Sequence, residues 1–130
     1  MFESDAILVP VSVGEMLDKL SILQIKFDRI SDENKRRNVE NELTALNAVA
    51  QRTVKIDTTL EALLTELKTV NMALWDVEDD LRAMEKRGEF GEAFIEAARS
   101  VYKHNDMRAT LKRAINDLTG SKLVEEKSYI

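Results

Sequence analysis

Apolar residues recur at steps of three and four positions along most of the chain, which is the spacing of one face of an α-helix. The pattern is most regular in the third of four predicted helices, at about residues 58–87. Its apolar positions are Leu60, Leu63, Leu67, Val70, Leu74, Val77, Leu81 and Met84. A seam sustained over about three heptads requires another helix alongside it at a shallow crossing angle. We therefore predict a coiled-coil-like helix pair.

The fourth predicted helix, at about residues 92–119, has the same spacing but is interrupted by His104 and Arg108. The apolar members of its stripe are Ala97, Val101, Leu111, Ile115 and Leu118. Gly88 suits the left-handed position that ends a helix, and the short segment 88–91 leaves room only for a reversal of the chain. We therefore predict that the third and fourth helices form a long antiparallel hairpin.

The first predicted helix, at about residues 13–30, is apolar on more than one face. Its main stripe consists of Val13, Met16, Leu20, Leu23, Phe27 and Ile30, and a second stripe consists of Leu17, Ile22 and Ile25. So wide an apolar surface indicates burial from several sides. Ser12 and Glu15 form an S-x-x-E capping box, in which each side chain satisfies the backbone amide of the other, and mark where this helix begins.

The second predicted helix, at about residues 32–54, is mostly polar and is expected to lie at the periphery. Its thin apolar stripe consists of Val39, Leu43, Leu46 and Ala50. Ser31 and Asp32 supply its cap, and Thr58 with Glu61 forms a T-x-x-E box that opens the third helix.

Short extended segments are predicted at both ends of the chain. Pro10 favours an extended arm at 6–11. The tail at 121–130 is expected to lie against the helices or to pair with the arm. The whole chain, residues 1–130, is then a single all-α domain built as an antiparallel four-helix bundle.

The composition and net charge of the chain limit the kinds of molecule that it is expected to bind. The chain has one proline, four glycines, no cysteine and a net charge of −5. The absence of cysteine excludes disulfides and cysteine-ligated metals and favours a cytoplasmic location. No basic stripe is present to neutralise the phosphates of a nucleic acid, and no apolar run is long enough to span a bilayer. We expect neither nucleic acid nor a membrane as a partner.

Several segments of the chain form a recognisable set of motifs. They are VPVSVGEMLDKLSIL at 9–23, ALWDVEDD at 73–80, ARSVY at 98–102, NDMRA at 105–109, KRAIN at 112–116 and GSKLVEEKSY at 120–129. These motifs resemble those of an uncharacterised bacterial family, a domain of unknown function. The resemblance implies a short helical protein of cytoplasmic type and supplies neither an activity nor catalytic residues.

The polar residues on the apolar stripe of the fourth helix are the first candidates for function. A guanidinium on such a stripe requires a carboxylate partner or a solvent-exposed position, because its desolvation costs free energy. The candidate partners of Arg108 are Asp18, Glu78, Asp79 and Glu85. Bidentate pairing with one of them would fix the register of the helices. The alternatives are a stripe that ends in solvent and a pocket for an anionic small molecule, lined by Arg99, Tyr102, His104, Asn105 and Arg108.

The acidic stretch of the third helix suggests a metal site. Glu78 and Asp79 are the candidate ligands for Mg²⁺ or Mn²⁺, and all-helical nucleotide pyrophosphohydrolases use acidic helix pairs of this general kind. In a chain that is 33% charged, a solvated acidic face is the alternative. No other cofactor is predicted. Trp75 is expected to cover an edge of the core or a subunit contact.

Two functional hypotheses follow. The first is a non-enzymatic helical interaction module that self-associates, with a dimer favoured and another protein as a further candidate partner. This hypothesis is based on the double apolar stripe of the first helix and on the length of the third helix, about 45 Å. A single bundle would not cover both apolar surfaces. The second is a small ligand-binding protein or metal-dependent enzyme that acts on an anionic, nucleotide-like compound. The sequence leaves open whether the protein is an enzyme.

Overall fold

A computed structural model describes residues 6–128 of the chain and shows four α-helices and no strand in that range. The helices are Val13–Arg29 (α1), Glu33–Thr53 (α2), Thr58–Arg87 (α3) and Glu92–Thr119 (α4). The bounds of α3 and α4 agree with the predicted ones, α1 ends one residue earlier than predicted, and α2 is one residue shorter at each end. The all-α prediction is confirmed. Residues 129–130 of the predicted tail lie outside the described range.

Helix α1 lies at the centre of the fold and packs against each of the other three helices. Both of its predicted stripes contribute to the core, with Met16, Leu17, Leu20, Leu23 and Ile25 at most 8% exposed and their remaining members partly buried. The prediction of burial from several sides is confirmed. Because a single chain already covers α1, its double stripe no longer argues for self-association.

The α3/α4 hairpin forms as predicted, and its seam changes character along its length. Leu60 and Leu67 are fully buried in the common core, whereas Leu74 and Leu81 farther along are only partly buried. Leu74 faces an open groove beside Ile22 and Ile25 of α1. Leu81 lies beyond the end of α1, where Arg29 pairs with Asp76 of α3. Beyond Asp76, the seam is therefore a contact between α3 and α4 alone.

Helix α2 is peripheral, as predicted. Among the described helices it packs only against α1, and Ala50 is its one buried residue. Arg36 anchors the α1/α2 connection, since its Nε donates to the carbonyl oxygen of Phe27 at 3.1 Å and its guanidinium stacks on the Phe27 ring at 4.3 Å from the centroid.

The helix caps agree with the sequence analysis only in part. Ser12 Oγ accepts from the Glu15 amide at 3.0 Å as predicted, but the Glu15 carboxylate pairs with Lys112 instead of returning to Ser12. The cap predicted for α3 is wrong. Asp57 is the N-cap residue and accepts from the Leu60 amide at 2.9 Å, while Thr58 already belongs to the helix.

The Asp57 cap supplies a direct test. Asp57→Ala is expected to lower the free energy of unfolding by about 1 kcal/mol, because an amide of the first turn loses its acceptor. Thr58→Ala is the matched control and should change it by less than about 0.5 kcal/mol, since alanine is the better helix former. Urea denaturation followed by circular dichroism measures both. Equal losses for the two variants would contradict the assignment of Asp57 as the cap.

Helices α1 and α4 run antiparallel and approach each other closely at Gly14. The Gly14 amide donates to Asn116 Oδ1 at 2.6 Å, and a Cβ at this position would lie 2.6 Å from the carbonyl oxygen of Lys112. Glu15 and Asp18 then pair with successively earlier residues of α4, Lys112 and Arg108. Gly14 is required here because any side chain would separate the helices.

The described part of the tail lies against the helices, so the first of its two predicted placements is confirmed. Ser121 Oγ accepts from the Val13 amide at 3.0 Å, and Ser12 Oγ donates to the Glu125 carboxylate at 2.8 Å. The tail thus covers the start of α1. The arm makes no such contact in the described structure, and its Ile7 is 90% exposed.

Candidate functional site

A groove of about 390 Å³ opens between α1, α3 and α4, beside the second half of α1. Its apolar wall is formed by Ile22, Ile25, Leu74, Trp75 and Val101. Its polar wall is formed by Asn71, Glu78, Asp79, Arg82, Asn105 and Arg108. We call it the Trp75 groove.

Arg108 on the polar wall is held by a buried carboxylate. Its Nε donates to Oδ1 of Asp18 at 2.9 Å and its Nη2 donates to Oδ2 at 2.5 Å, which is the bidentate geometry predicted. The Asp18 side chain is 1% exposed and that of Arg108 is 29% exposed. The hydrogen bonds to Asp18 raise the pKa of Arg108 above its ordinary value, against the opposing effect of burial. The guanidinium therefore stays charged.

Two uncharged side chains complete the surroundings of Asp18. Asn71 Nδ2 donates to Asp18 Oδ1 at 3.0 Å and to Ser21 Oγ at 2.8 Å, and Ser21 Oγ donates to the main-chain carbonyl of Asp18 at 2.8 Å. These four residues, which we call the Asp18 cluster, join α1, α3 and α4. Within residues 6–128, no buried side-chain nitrogen or oxygen lacks a hydrogen-bond partner. Every buried polar side-chain atom of the cluster is thus hydrogen-bonded inside the fold.

Other polar side chains of the Trp75 groove have no partner within the described range. They are the Asp79 carboxylate, the Asn105 amide and the Trp75 indole N–H. The Nη1 of Arg108 likewise donates no hydrogen bond to the described chain. Glu78 differs, because it pairs with Arg82 at 3.5 Å. The groove therefore offers open donors and open acceptors next to an apolar wall.

The groove brings together only some of the residues that the sequence suggested. Asn105 and Arg108 lie on one wall, but Arg99 and Tyr102 do not line the groove, and both are exposed. Arg99 precedes Arg108 by nine positions, which at about 100° per residue places it on the opposite side of α4. His104 turns back on its own helix, with Nδ1 2.8 Å from the carbonyl oxygen of Ser100. The predicted anion-binding set is therefore not assembled as a unit.

The candidate metal ligands Glu78 and Asp79 lie on the groove wall but gather no third ligand. Among residues 6–128, no group of three histidine, aspartate or glutamate side chains is close enough to hold a metal ion. Glu78 is also engaged by Arg82. The hypothesis of a Mg²⁺ or Mn²⁺ site gains no support from this arrangement.

A second groove, of about 570 Å³, lies between α3 and α4. It is lined by Thr65, Glu66, Thr69, Val70, Asp106, Met107, Thr110 and Leu111. No residue of α1 or α2 contributes to it, because α1 packs elsewhere on the hairpin and α2 packs only on α1. Its surface is mostly apolar, and Met107 is 51% exposed. We call it the Met107 groove.

Comparison with known proteins places the chain in a family without assigning it a function. A family model matches residues 7–130, a range that includes all four helices and both grooves. The chain belongs to the family of unknown function DUF6165. The resemblance to an uncharacterised family is thereby confirmed. No curated protein and no solved structure matches the chain.

The DUF6165 match also extends over the exposed arm from Ile7 and over the C-terminal tail. The contacts that Ser121 and Glu125 of the tail make with the start of α1 therefore fall within the family domain. None of the helices described for this DUF6165 protein is long and apolar enough to cross a bilayer.

Sequence reasoning missed several residues that build the sites of this DUF6165 protein. Ser21 and Asn71 belong to the Asp18 cluster, and Gly14 with Asn116 sets the approach of α1 to α4. A signal for Asn71 was present, since it follows Leu67 of the seam by four residues and precedes Leu74 by three, and so lies on the same side of the helix. Recognising it requires knowing that α1 packs on that side.

Proposed function

We propose that this DUF6165 protein is a non-enzymatic helical assembly module that self-associates as a dimer through the Met107 groove. The observation that supports the proposal is a mostly apolar groove that no other part of the described chain covers. Val70 forms a buried part of its wall and Met107 an exposed part. Contiguous exposed apolar surface of this kind favours association, because its burial releases water.

The shape of the α3/α4 hairpin suits a second copy of itself. Two antiparallel hairpins related by a two-fold axis form a four-helix bundle in which each chain contributes the same surface. Thr65, Thr69 and Thr110 border the groove with short side chains, which permits close approach. The acidic rim residue Asp106 already pairs with Lys127 of the tail at 2.8 Å, so its charge is compensated before association.

We also propose that this assembly is cytoplasmic. The support is compositional, since a cysteine-free chain suits a reducing compartment.

The dimer is tested by placing a charge in the groove. Met107→Glu is expected to weaken self-association about 100-fold, because burying an unpaired carboxylate costs about 3 kcal/mol. Ile95→Glu is the matched control, since Ile95 is 53% exposed on the same helix and lies outside the groove. Sedimentation equilibrium should show a dimer for the wild type and the Ile95 variant and a monomer for the Met107 variant.

Two results would overturn this proposal. A wild-type protein that remains monomeric at about 100 µM would exclude a dimer of useful affinity. A dimer that Ile95→Glu disrupts while Met107→Glu leaves it intact would place the contact on another surface. Circular dichroism of both variants should show unchanged helix content, because each substitution replaces an exposed side chain.

A second candidate function, binding of a small molecule, is favoured by the open polar groups of the Trp75 groove. Asp79, Asn105 and the Trp75 indole line it without partners in the described structure. The version with an anionic nucleotide and a divalent metal ion is less well supported, because the Asp79 carboxylate repels phosphate and no third metal ligand lies near Glu78 and Asp79 in residues 6–128.

A further inference from the structure

We infer that the Trp75 groove binds a small zwitterion, an α-amino acid with an apolar side chain. The inference rests on the second candidate function, small-molecule binding in this groove. Such a ligand needs donors for its carboxylate, an acceptor for its ammonium group and an apolar wall for its side chain. In the groove, α4 supplies the donors, α3 supplies the acceptor, and α1, α3 and α4 together form the apolar wall.

The donors come from α4. Arg108 uses Nε and Nη2 to hold Asp18, and its Nη1 makes no hydrogen bond within the described chain. Asn105, three residues earlier on the same face of the helix, has an open side-chain amide. A planar guanidinium and an amide suit the two oxygens of a carboxylate. Because Asp18 already fixes the guanidinium, little side-chain freedom is lost when a ligand binds.

The acceptor comes from α3. The positive charge of Arg108 is compensated by Asp18, and that of Arg82 by Glu78. The remaining charge is that of Asp79, which has no ion pair in the described range. The polar wall and Asp18 together therefore carry one uncompensated negative charge. A ligand that is only anionic is repelled by it, whereas an ammonium group is attracted.

The apolar wall sets the size and kind of the ligand side chain. Ile22 and Val101 face the groove together with the Trp75 ring, so an aliphatic group is buried against them. The volume of about 390 Å³ is near the lower end of the range for small-molecule sites, about 300–1,000 Å³. That size suits an amino acid better than a nucleotide.

The test uses the position of Trp75. It is the only tryptophan of the chain, so the intrinsic fluorescence of the protein reports on the groove. The wild type is titrated with L-leucine, with 3-methylbutylamine, which lacks the carboxylate, and with 4-methylpentanoate, which lacks the amine. L-isoleucine, L-methionine, inorganic phosphate and adenosine monophosphate complete the panel. We expect saturable changes with the amino acids and binding at least tenfold weaker with every other compound.

Variants assign the contacts. Asp79→Asn and Asn105→Ala should each weaken L-leucine binding at least tenfold without lowering the melting temperature, because neither side chain has a partner within the described chain. Arg99→Ala is the control and should bind as the wild type does, since Arg99 lies outside the groove.

The outcomes separate the inference from the function on which it rests. Equal binding of L-leucine and 3-methylbutylamine would overturn the zwitterion while leaving small-molecule binding in place. Binding of phosphate or adenosine monophosphate in place of the amino acids would also overturn the zwitterion, and it would identify the ligand as an anion. If no compound of the panel changes the fluorescence or the melting temperature, both the inference and small-molecule binding in this groove are overturned.

Discussion

Asp18→Ala is expected to lower the free energy of unfolding by about 3–5 kcal/mol, because it leaves a partly buried guanidinium without its partner. Arg108 is only 29% exposed, and Asn71 loses one of its two acceptors in the same substitution. For a chain of this size the loss corresponds to a decrease of about 10–20 °C in the melting temperature. Urea denaturation monitored by circular dichroism measures it.

The neighbouring residue provides the control for this prediction. Lys19 pairs with Glu42 on the surface, where their side chains are 56% and 44% exposed. Lys19→Ala should cost at most about 1 kcal/mol, because water screens such pairs. The double variant Asp18→Leu with Arg108→Met should regain much of the stability, since apolar residues can replace a buried ion pair as a unit. Equal losses for Asp18→Ala and Lys19→Ala would contradict a structural role of the Asp18 cluster.

The helices could be predicted from the sequence because the face that a helix buries is encoded by neighbouring residues. Leu67 and Ile115 belong to regular three-four stripes, and both are fully buried. The need of Arg108 for a carboxylate also followed from its place on such a stripe. The choice among four acidic residues did not, because Asp18 is 90 positions away and becomes a neighbour only where α1 crosses α4.

The Trp75 groove shows the same limit. Glu78 and Asp79 were recognised as an acidic pair, and Asn105 and Arg108 as polar residues of another helix, but nothing in their spacing shows that they share one groove. Arg99 was grouped with Arg108 because it lies a few turns away, although helix geometry places it on the opposite side. Sequence patterns locate residues on a face of one helix, and only the packing of α1 brings faces together.

The N-cap residue of α3 was predicted wrongly although the choice depended only on neighbouring residues. Asp57 and Thr58 are both good N-cap residues, and the T-x-x-E spacing favoured Thr58. In the structure the backbone is still extended at Asp57, with φ −97° and ψ −177°, and is helical from Thr58 onward. The side chain at the last extended position is the one that reaches the free amides of the first turn. Two adjacent cap formers cannot be distinguished without that backbone information.

Gly14→Ala is expected to lower the free energy of unfolding by about 1–3 kcal/mol, although alanine is the better helix former. The added Cβ would lie 2.6 Å from the carbonyl oxygen of Lys112 and 2.9 Å from Asn116 Oδ1. Helix α1 would have to move away from α4, which also breaks the hydrogen bond from the Gly14 amide to Asn116. Thermal and urea denaturation measure the loss.

The sign of the change decides whether this close approach exists. Replacing an unconstrained helical glycine by alanine stabilises a protein by about 0.4–1 kcal/mol. A Gly14→Ala variant more stable than the wild type would therefore contradict the close contact. Gly91→Ala is the control, because a Cβ there meets nothing within 4 Å, and it should change stability by at most about 1 kcal/mol. The nearest atom to Gly14 is a main-chain oxygen, which no side-chain substitution can remove. Adding Gly14→Ala to an Asn116→Ala background should therefore remain destabilising.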